Sequence, residues 1–271
     1  MLADEVALER LYSLQGRVAL VTGGVGLLGR VHATALARAG ARVVVADLPA
    51  VEPEKRAPEL MNGDAVGVSC DICDEGQLRA LMETIQGRFG RLDVVVNDAG
   101  IVGSPTARGV EFQGGVEDYP IASWEAVIRA NLTAAFLVNR EAGRLMRANG
   151  GGSIINVSSI YGIVGPDHRI YAGLPLSAFV SYSASKAGVL GLTRYLATYW
   201  AGDGIRVNAV VPGGVYNDHD PVFVERYANR TPMGRMADRK ELAGIILFLA
   251  SDASSYCTGQ QFVVDGGLTA W

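Results

Sequence analysis

Tyr182 and Lys186 stand at i and i+4 in Tyr182-Ser183-Ala184-Ser185-Lys186, a spacing that sets both on one face of a helix. A free phenol ionises near ~10, too high for a base at neutral pH. A lysine cation beside it favours phenolate, so the pair can move a proton on and off a substrate oxygen. The chain has only three lysines, Lys55, Lys186 and Lys240, which makes one at this spacing informative. A second constellation lies near the N-terminus. Thr22-Gly23-Gly24-Val25-Gly26-Leu27-Leu28-Gly29 follows the apolar run Val18–Val21 and opens a helical segment. Glycines there let the backbone turn sharply and approach a pyrophosphate at a helix N-terminus. A second apolar run ends in Asp47-Leu48, where a carboxylate about twenty residues past the loop would bind the hydroxyls of an adenosine ribose. A 2′-phosphate would meet a like charge at Asp47, which favours NAD over NADP.

These groups need a scaffold, and the sequence supplies one. Short β-branched runs at 17–21, 42–46, 66–69, 92–96, 153–157, 205–211 and 261–264 alternate with helical segments at 28–39, 54–61, 75–89, 123–146, 180–199 and 239–250. The runs are continuously apolar, as in strands covered on both faces. The order predicts a single-domain α/β fold, a doubly wound, Rossmann-like parallel sheet of about seven strands with helices on both faces. The domain is expected over 15–271, after an extension at 1–14 whose Leu2, Leu8 and Leu11 are placed to dock on a surface. Loop-rich stretches at 160–179 and 213–237 follow strand ends, where ligands of such sheets bind.

The composition narrows the function classes. With 49% hydrophobic and 19% charged residues the chain has material for a core and is not disordered. Net charge is −4, opposite in sign to a general nucleic-acid binder. No apolar run approaches a bilayer span, and the acidic N-terminus lacks the order of a signal peptide. Three cysteines suit a reducing compartment, and the cytoplasm is the expected location. Cys70-Asp71-Ile72-Cys73 is formally a C-x-x-C, but without a second cysteine pair it reads as a strand end. No His/Cys/Asp cluster has metal-ligand spacing. The 34 glycines in 271 residues, against an average near ~7%, belong to tight turns and close approaches. His32 and His219 read as packing or surface residues.

The Thr-Gly-x-x-x-Gly-x-Gly spacing resembles the short-chain dehydrogenase/reductase family, with Gly23 and Gly29 in place and the middle glycine displaced to Gly26. Asn97-Asp98-Ala99-Gly100 resembles the family's Asn-Asn-Ala-Gly, with Asp98 in the second position. Asp71-Ile72 resembles its adenine-contacting pair. Pro212-Gly213-Gly214-Val215-Tyr216-Asn217 is similar to its Pro-Gly-x-Val/Ile-x-Thr, and Thr258-Gly259-Gln260 and Val264-Asp265-Gly266-Gly267 to its last strand and turn. Asn131, Ser159, Tyr182 and Lys186 match its tetrad. The resemblance, over about 14–271, implies Tyr182 as acid/base and Lys186 as the group that lowers its pKa and holds the nicotinamide ribose. It implies Ser159 on the substrate oxygen and Asn131 on a water linking Lys186 to solvent. The cofactor set is then Gly23, Gly26, Leu28, Gly29, Asp47, Leu48, Asp71, Ile72, Asp98, Ala99, Gly100, Tyr182, Lys186, Val215 and Asn217.

Ser159 and Tyr182 are 23 positions apart, wider than the family's usual interval. The extra stretch carries His168 and Arg169, which with Tyr216 are the expected readers of a hydroxyl-rich or anionic substrate. The expected activity is NAD(H)-dependent interconversion of a secondary alcohol and a ketone on a sugar-like, polyol or sugar-acid substrate. The alternatives are a 3-oxoacyl-thioester reductase, disfavoured by Asp47 and the net acidity, and a non-catalytic NAD-binding protein, disfavoured by the intact tetrad. Beyond its small-molecule substrate, the chain is expected to partner only itself, as a homotetramer formed through the helices near Ser123 and Val180 and the last strand. The row Val189, Leu192, Leu196 and Tyr199 is read as supporting that assembly.

Overall fold

Val18-Ala19-Leu20-Val21-Thr22 forms β1, and all five residues are buried. Val18 and Leu20 enter the core on one face of the sheet, Ala19 and Val21 the core on the other, which is why no polar alternation appears in the sequence. The computed structural model describes residues 7–61, 65–103, 115–174 and 180–271. The remaining strands are β2 (Arg42–Asp47), β3 (Ala65–Ser69), β4 (Val94–Asn97), β5 (Gly152–Val157), β6 (Ile205–Pro212) and β7 (Gln261–Val264). They form a seven-stranded sheet in the order β3-β2-β1-β4-β5-β6-β7, every pairing parallel. The order reverses between β1 and β4, the crevice where doubly wound sheets take a dinucleotide.

The helices are α1 (Leu8–Leu11), α2 (Gly29–Arg38), α3 (Pro53–Leu60), α4 (Glu75–Phe89), α5 (Ile121–Ile128), α6 (Ala134–Ala148), α7 (Val180–Tyr199), α8 (Pro221–Arg230) and α9 (Ala243–Ala250). Leu36 of α2, Ala57 of α3 and Ile246 and Leu249 of α9 pack on one face. Leu78, Leu81 and Ile85 of α4, Val138 and Met146 of α6 and Leu196 of α7 pack on the other. A third cluster, with Ile170, Phe223, Tyr227 and Met236, roofs the carboxyl ends of β5 and β6.

Three expected elements differ from the structure. The helix expected over 123–146 begins at Ile121 and is broken by a π-turn, Arg129–Thr133, which carries Asn131. The stretch read as a loop at 213–237 contains α8. Its start is signalled by Asp220, whose side chain accepts from the Val222 amide at 2.8 Å, followed by Pro221 at the first helical position. The segment 239–250 opens as the 3₁₀ turn Arg239–Leu242 before becoming α9. Ile121–Ala148 meets the length and hydropathy of a membrane span, contrary to the reading of the sequence, but α6 buries Leu137, Val138 and Met146 in the domain core.

Candidate active site

A cavity of about 600 Å³ runs along the carboxyl edge of the sheet and holds both constellations. At its nucleotide end, two glycines are sterically required. Gly23 has φ +65, and a Cβ there would lie 2.8 Å from the Ala99 Cα; a Cβ on Gly29 would lie 2.2 Å from the Gly23 carbonyl oxygen. Gly26 closes the turn by donating its N–H to the Gly23 carbonyl at 2.9 Å, so displacement of the middle glycine leaves the turn closed. Asp47 braces the loop: its Oδ2 accepts from the Val25 amide at 3.1 Å and its Oδ1 from the Leu48 amide at 2.9 Å. Leu27, Leu28, Leu48, Asp71, Ile72, Cys73, Asp98, Ala99 and Gly100 line the same end. This bare backbone cradle with a carboxylate beyond it fits a dinucleotide. Arg42 is no substitute reader of a 2′-phosphate. It sits at the opposite end of β2 from Asp47, its guanidinium 5.1 Å from the Phe89 ring centroid.

Asp98 explains His32. The imidazole, read from sequence as a packing or surface group, is 1% exposed, with Nδ1 3.5 Å from the Asp98 Oδ1. Burial lowers the pKa of His32 while Asp98 opposes that shift. Burial raises Asp98, against the pull of His32 and then Lys186. The carboxylate that replaces the family's asparagine therefore has a basic neighbour on α2 and another on α7.

Three elements present the tetrad: the π-turn, the end of β5 and α7. Ser159 follows β5, and Tyr182 and Lys186 lie on the wall of the large cavity. Lys186 Nζ donates to the Val157 carbonyl at 2.8 Å and lies 5.7 Å from the Tyr182 ring centroid. Burial pulls Lys186 down to about 8, with Asp98 acting the other way. Burial also pushes the Tyr182 phenol up; a hydrogen bond with Ser159 lowers it and Asp98 raises it. Asn131 is set back. Its Oδ1 accepts from the Ile101 amide and its Nδ2 donates to the Ile101 carbonyl, both at 2.8 Å, which pins the chain just after Gly100. Between Asn131, Lys186, Asn97 and Thr22 lies a separate cavity of about 10 Å³, room for one water.

The substrate end is built from Ile101 and Val102 and, within the stretches 160–179 and 213–237 expected to hold the pocket, from Tyr161, Tyr171, His219, Phe223, Tyr227 and Met236, none of which was named from sequence as a substrate reader. Phe223 and Tyr227 are i and i+4 on α8, a pattern visible once its Asp-Pro start is recognised. Tyr227 accepts a short hydrogen bond from the Gly214 amide through its hydroxyl oxygen. His219, assigned to packing or surface from sequence, stacks on Phe223 at 5.3 Å. Its Nδ1 accepts from the Asn217 amide at 3.1 Å, which leaves the ring proton on Nε2, and burial lowers its pKa. His168 and Arg169 are not brought to the cavity wall. Both are exposed, and Arg169 is paired with Asp167 at 2.8 Å, since the turn that carries them points its polar side to solvent. Tyr216 and Asn217 also lie off the wall, while Val215 is on it. Residues 175–179 of the insertion and Leu2 of the extension lie outside the described residues. Among the described residues no group of His, Cys, Asp and Glu is placed to hold a metal ion.

Fold and cavity together define a dinucleotide-dependent oxidoreductase. A family model described as Enoyl-(Acyl carrier protein) reductase matches residues 26–269. The chain is similar to the cis-4-hydroxycyclohexanecarboxylate dehydrogenase of Sinomonas cyclohexanicum, 41% identical over 261 residues, covering 94% of this chain and 97% of that one. It is similar to the D-threitol dehydrogenase of Mycolicibacterium smegmatis, 33% identical over 274 residues and covering 98% of each. Among solved structures it resembles a gluconate 5-dehydrogenase from Burkholderia cenocepacia in complex with NADP and tartrate, with a TM-score of 0.86 and 30% identity over 97% of this chain and 99% of that one. The chain belongs to the short-chain dehydrogenase/reductase family, whose members use a nicotinamide cofactor.

Proposed function

We propose that the protein is an NAD(H)-dependent dehydrogenase that interconverts a ring-bearing secondary alcohol and its ketone. The observation that carries this reading is the single cavity in which Ser159, Tyr182 and Lys186 share walls with Gly23 and Asp47. Bound NAD⁺ supplies the hydride acceptor. In the oxidative direction Tyr182 takes the hydroxyl proton, and Ser159 hydrogen-bonds the same oxygen as it becomes a carbonyl. Lys186, fixed by the Val157 carbonyl, lowers the phenol's pKa with its charge and holds the nicotinamide ribose. A water in the small cavity between Asn131 and Lys186 would relay the proton outward. Burial holds the phenol above its ordinary value, and the positive charge of a bound oxidised cofactor would oppose that shift.

Asp47 supports NAD over NADP, as does a nucleotide end whose charged lining residues, among those described, are Asp47, Asp71 and Asp98. The substrate end supports an uncharged, ring-bearing polyol rather than a sugar acid. Its described lining is phenolic, aromatic and aliphatic apart from His219, whose pKa burial lowers, and the lysine on the wall is Lys186. The similarity to a hydroxycyclohexanecarboxylate dehydrogenase supports the ring. Exposed Phe136 on α6 and the stacked, exposed pair Tyr195 and Tyr199 on α7 support a homotetramer. Val189, Leu192 and Leu196 do not, because they pack in the core. The unpaired thiols suit a reducing compartment such as the cytoplasm.

The test is cofactor reduction or oxidation with cyclohexanols, cyclohexanediols, threitol, gluconate and a 3-oxoacyl thioester. Turnover of ring alcohols with NAD⁺ is expected. Preferential reduction of the thioester with NADPH would overturn the reading in favour of the 3-oxoacyl reductase.

A further inference from the structure

The insertion between Ser159 and Tyr182 brings a tyrosine to the cavity instead of its charged residues. Asp167 caps a 3₁₀ turn, His168–Tyr171, by accepting from the Arg169 amide at 3.1 Å. The turn buries Ile170 and sends Tyr171 inward against Phe223, 5.4 Å between ring centroids. Arg226 of α8 donates to the Ala172 carbonyl at 2.6 Å and holds the turn's exit. Tyr161 reaches the same point from the end of β5, its amide donating to the Ser159 hydroxyl at 3.2 Å. The two phenolic oxygens are 2.6 Å apart, and both rings line the cavity that holds Ser159 and Tyr182.

Two phenols carry two protons, and the bond between them uses one. The second has no acceptor among the described residues. Burial pushes both phenols up, Tyr171 to about 12, so the pair stays protonated at any working pH. The cavity is thus offered a fixed donor, held in place by its partner ring. Lone pairs on the same oxygens can accept in return.

We infer that the Tyr161–Tyr171 pair is a specificity-determining subsite that hydrogen-bonds a second, uncharged oxygen substituent, a hydroxyl or a ketone, on the same ring as the reacting carbinol. The inference rests on the ring-alcohol reading above. An uncharged group fits because Lys186 and His219, whose pKa burial lowers, are the only basic residues among the described residues of the wall.

The experiment is steady-state kcat/KM with NAD⁺ for cyclohexanol, cyclohexane-1,4-diol and 4-hydroxycyclohexanecarboxylate, in wild type, Tyr161→Phe, Tyr171→Phe and the double variant. Phenylalanine keeps each ring's packing. A ratio of two substrates within one variant is also insensitive to how much of it folds. Wild type is expected to prefer the diol over cyclohexanol, and the double variant to lower that ratio about tenfold, the share of one lost hydrogen bond. Each single variant should lower it less, because the phenol that remains keeps a proton to donate and loses only the partner that fixes it. An unchanged ratio in the double variant overturns the subsite alone. A carboxylate preferred over the diol, with that preference lost in the variants, overturns its restriction to uncharged groups. No turnover of any ring alcohol by wild type overturns the ring reading and the subsite with it.

Discussion

The two ends of the cavity are built by different means. The nucleotide end is backbone: Gly23, Gly26 and Gly29 leave a surface without side chains, and Asp47 adds a carboxylate braced by two amides. Its residues follow the ends of β1, β2, β3 and β4 at once, so sheet register alone fixes their spacing. The substrate end is side chain. Tyr161, Tyr171, His219, Phe223, Tyr227 and Met236 come from a strand end, a 3₁₀ turn and the segment around α8, and meet only because those pieces pack on one another. A rigid backbone cradle suits a ligand shared by a whole family. A packed side-chain wall can change its reader by a few substitutions, which is how one fold serves different alcohols.

The largest expected effect tests the junction between the ends. Tyr182→Phe should lower kcat by about 10³-fold, the scale of a lost general acid/base. The dissociation constant for NAD⁺ by fluorescence titration should stay within about twofold. A kcat near that of wild type would remove Tyr182 from the proton transfer.

Next comes the backbone character of the nucleotide end. Gly29→Ala places a Cβ 2.2 Å from the Gly23 carbonyl and should cost roughly 1–3 kcal/mol of stability, by thermal denaturation, along with most cofactor affinity. Gly26→Ala, whose Cβ would lie 3.0 Å from the same oxygen, should cost far less. Equal losses would show that the cradle does not depend on close approach at Gly29. Asp47 should give a preference for NAD over NADP of at least roughly tenfold in kcat/KM, about 1.4 kcal/mol. In Asp47→Ala that preference should collapse.

A finer test joins the ends through Asp98, which faces His32 of α2, Lys186 and Tyr182 of α7, Asp47 of β2 and the Gly29 amide. The carboxylate raises both Tyr182 and Lys186. Asp98→Asn therefore lowers both: the phenolate forms at lower pH and the lysine cation is lost at lower pH. The whole kcat/KM profile for alcohol oxidation should move toward acid. An unmoved profile would show that the Asp98–His32 pair is electrostatically silent. The smallest effect is expected at the insertion's surface. Arg169→Ala should leave KM within about twofold, because Arg169 is exposed and paired with Asp167 rather than turned to the cavity.

Sequence alone determined the alternation of strands and helices, the parallel sheet, the glycine loop, Asp47 and the Ser159–Tyr182–Lys186 set. Each depends on local spacing: period, i to i+4, or a residue placed just after a strand. These survive translation into three dimensions because a strand end or a helix face fixes direction as well as position. The π-turn at Asn131 was not legible, because Arg129–Thr133 has an ordinary helical composition and the Asn131 side chain it carries bonds to Ile101, thirty residues away in sequence. Neither was the environment of Asp98, since His32 and Asp98 are far apart in sequence and meet only where α2 packs behind the end of β4. The substrate wall was the least legible part. Chemistry on paper favoured His168 and Arg169 as readers, but a four-residue turn must bury one side and expose the other. The hydrophobic gain of burying Ile170 and Tyr171 decided which side faced the cavity.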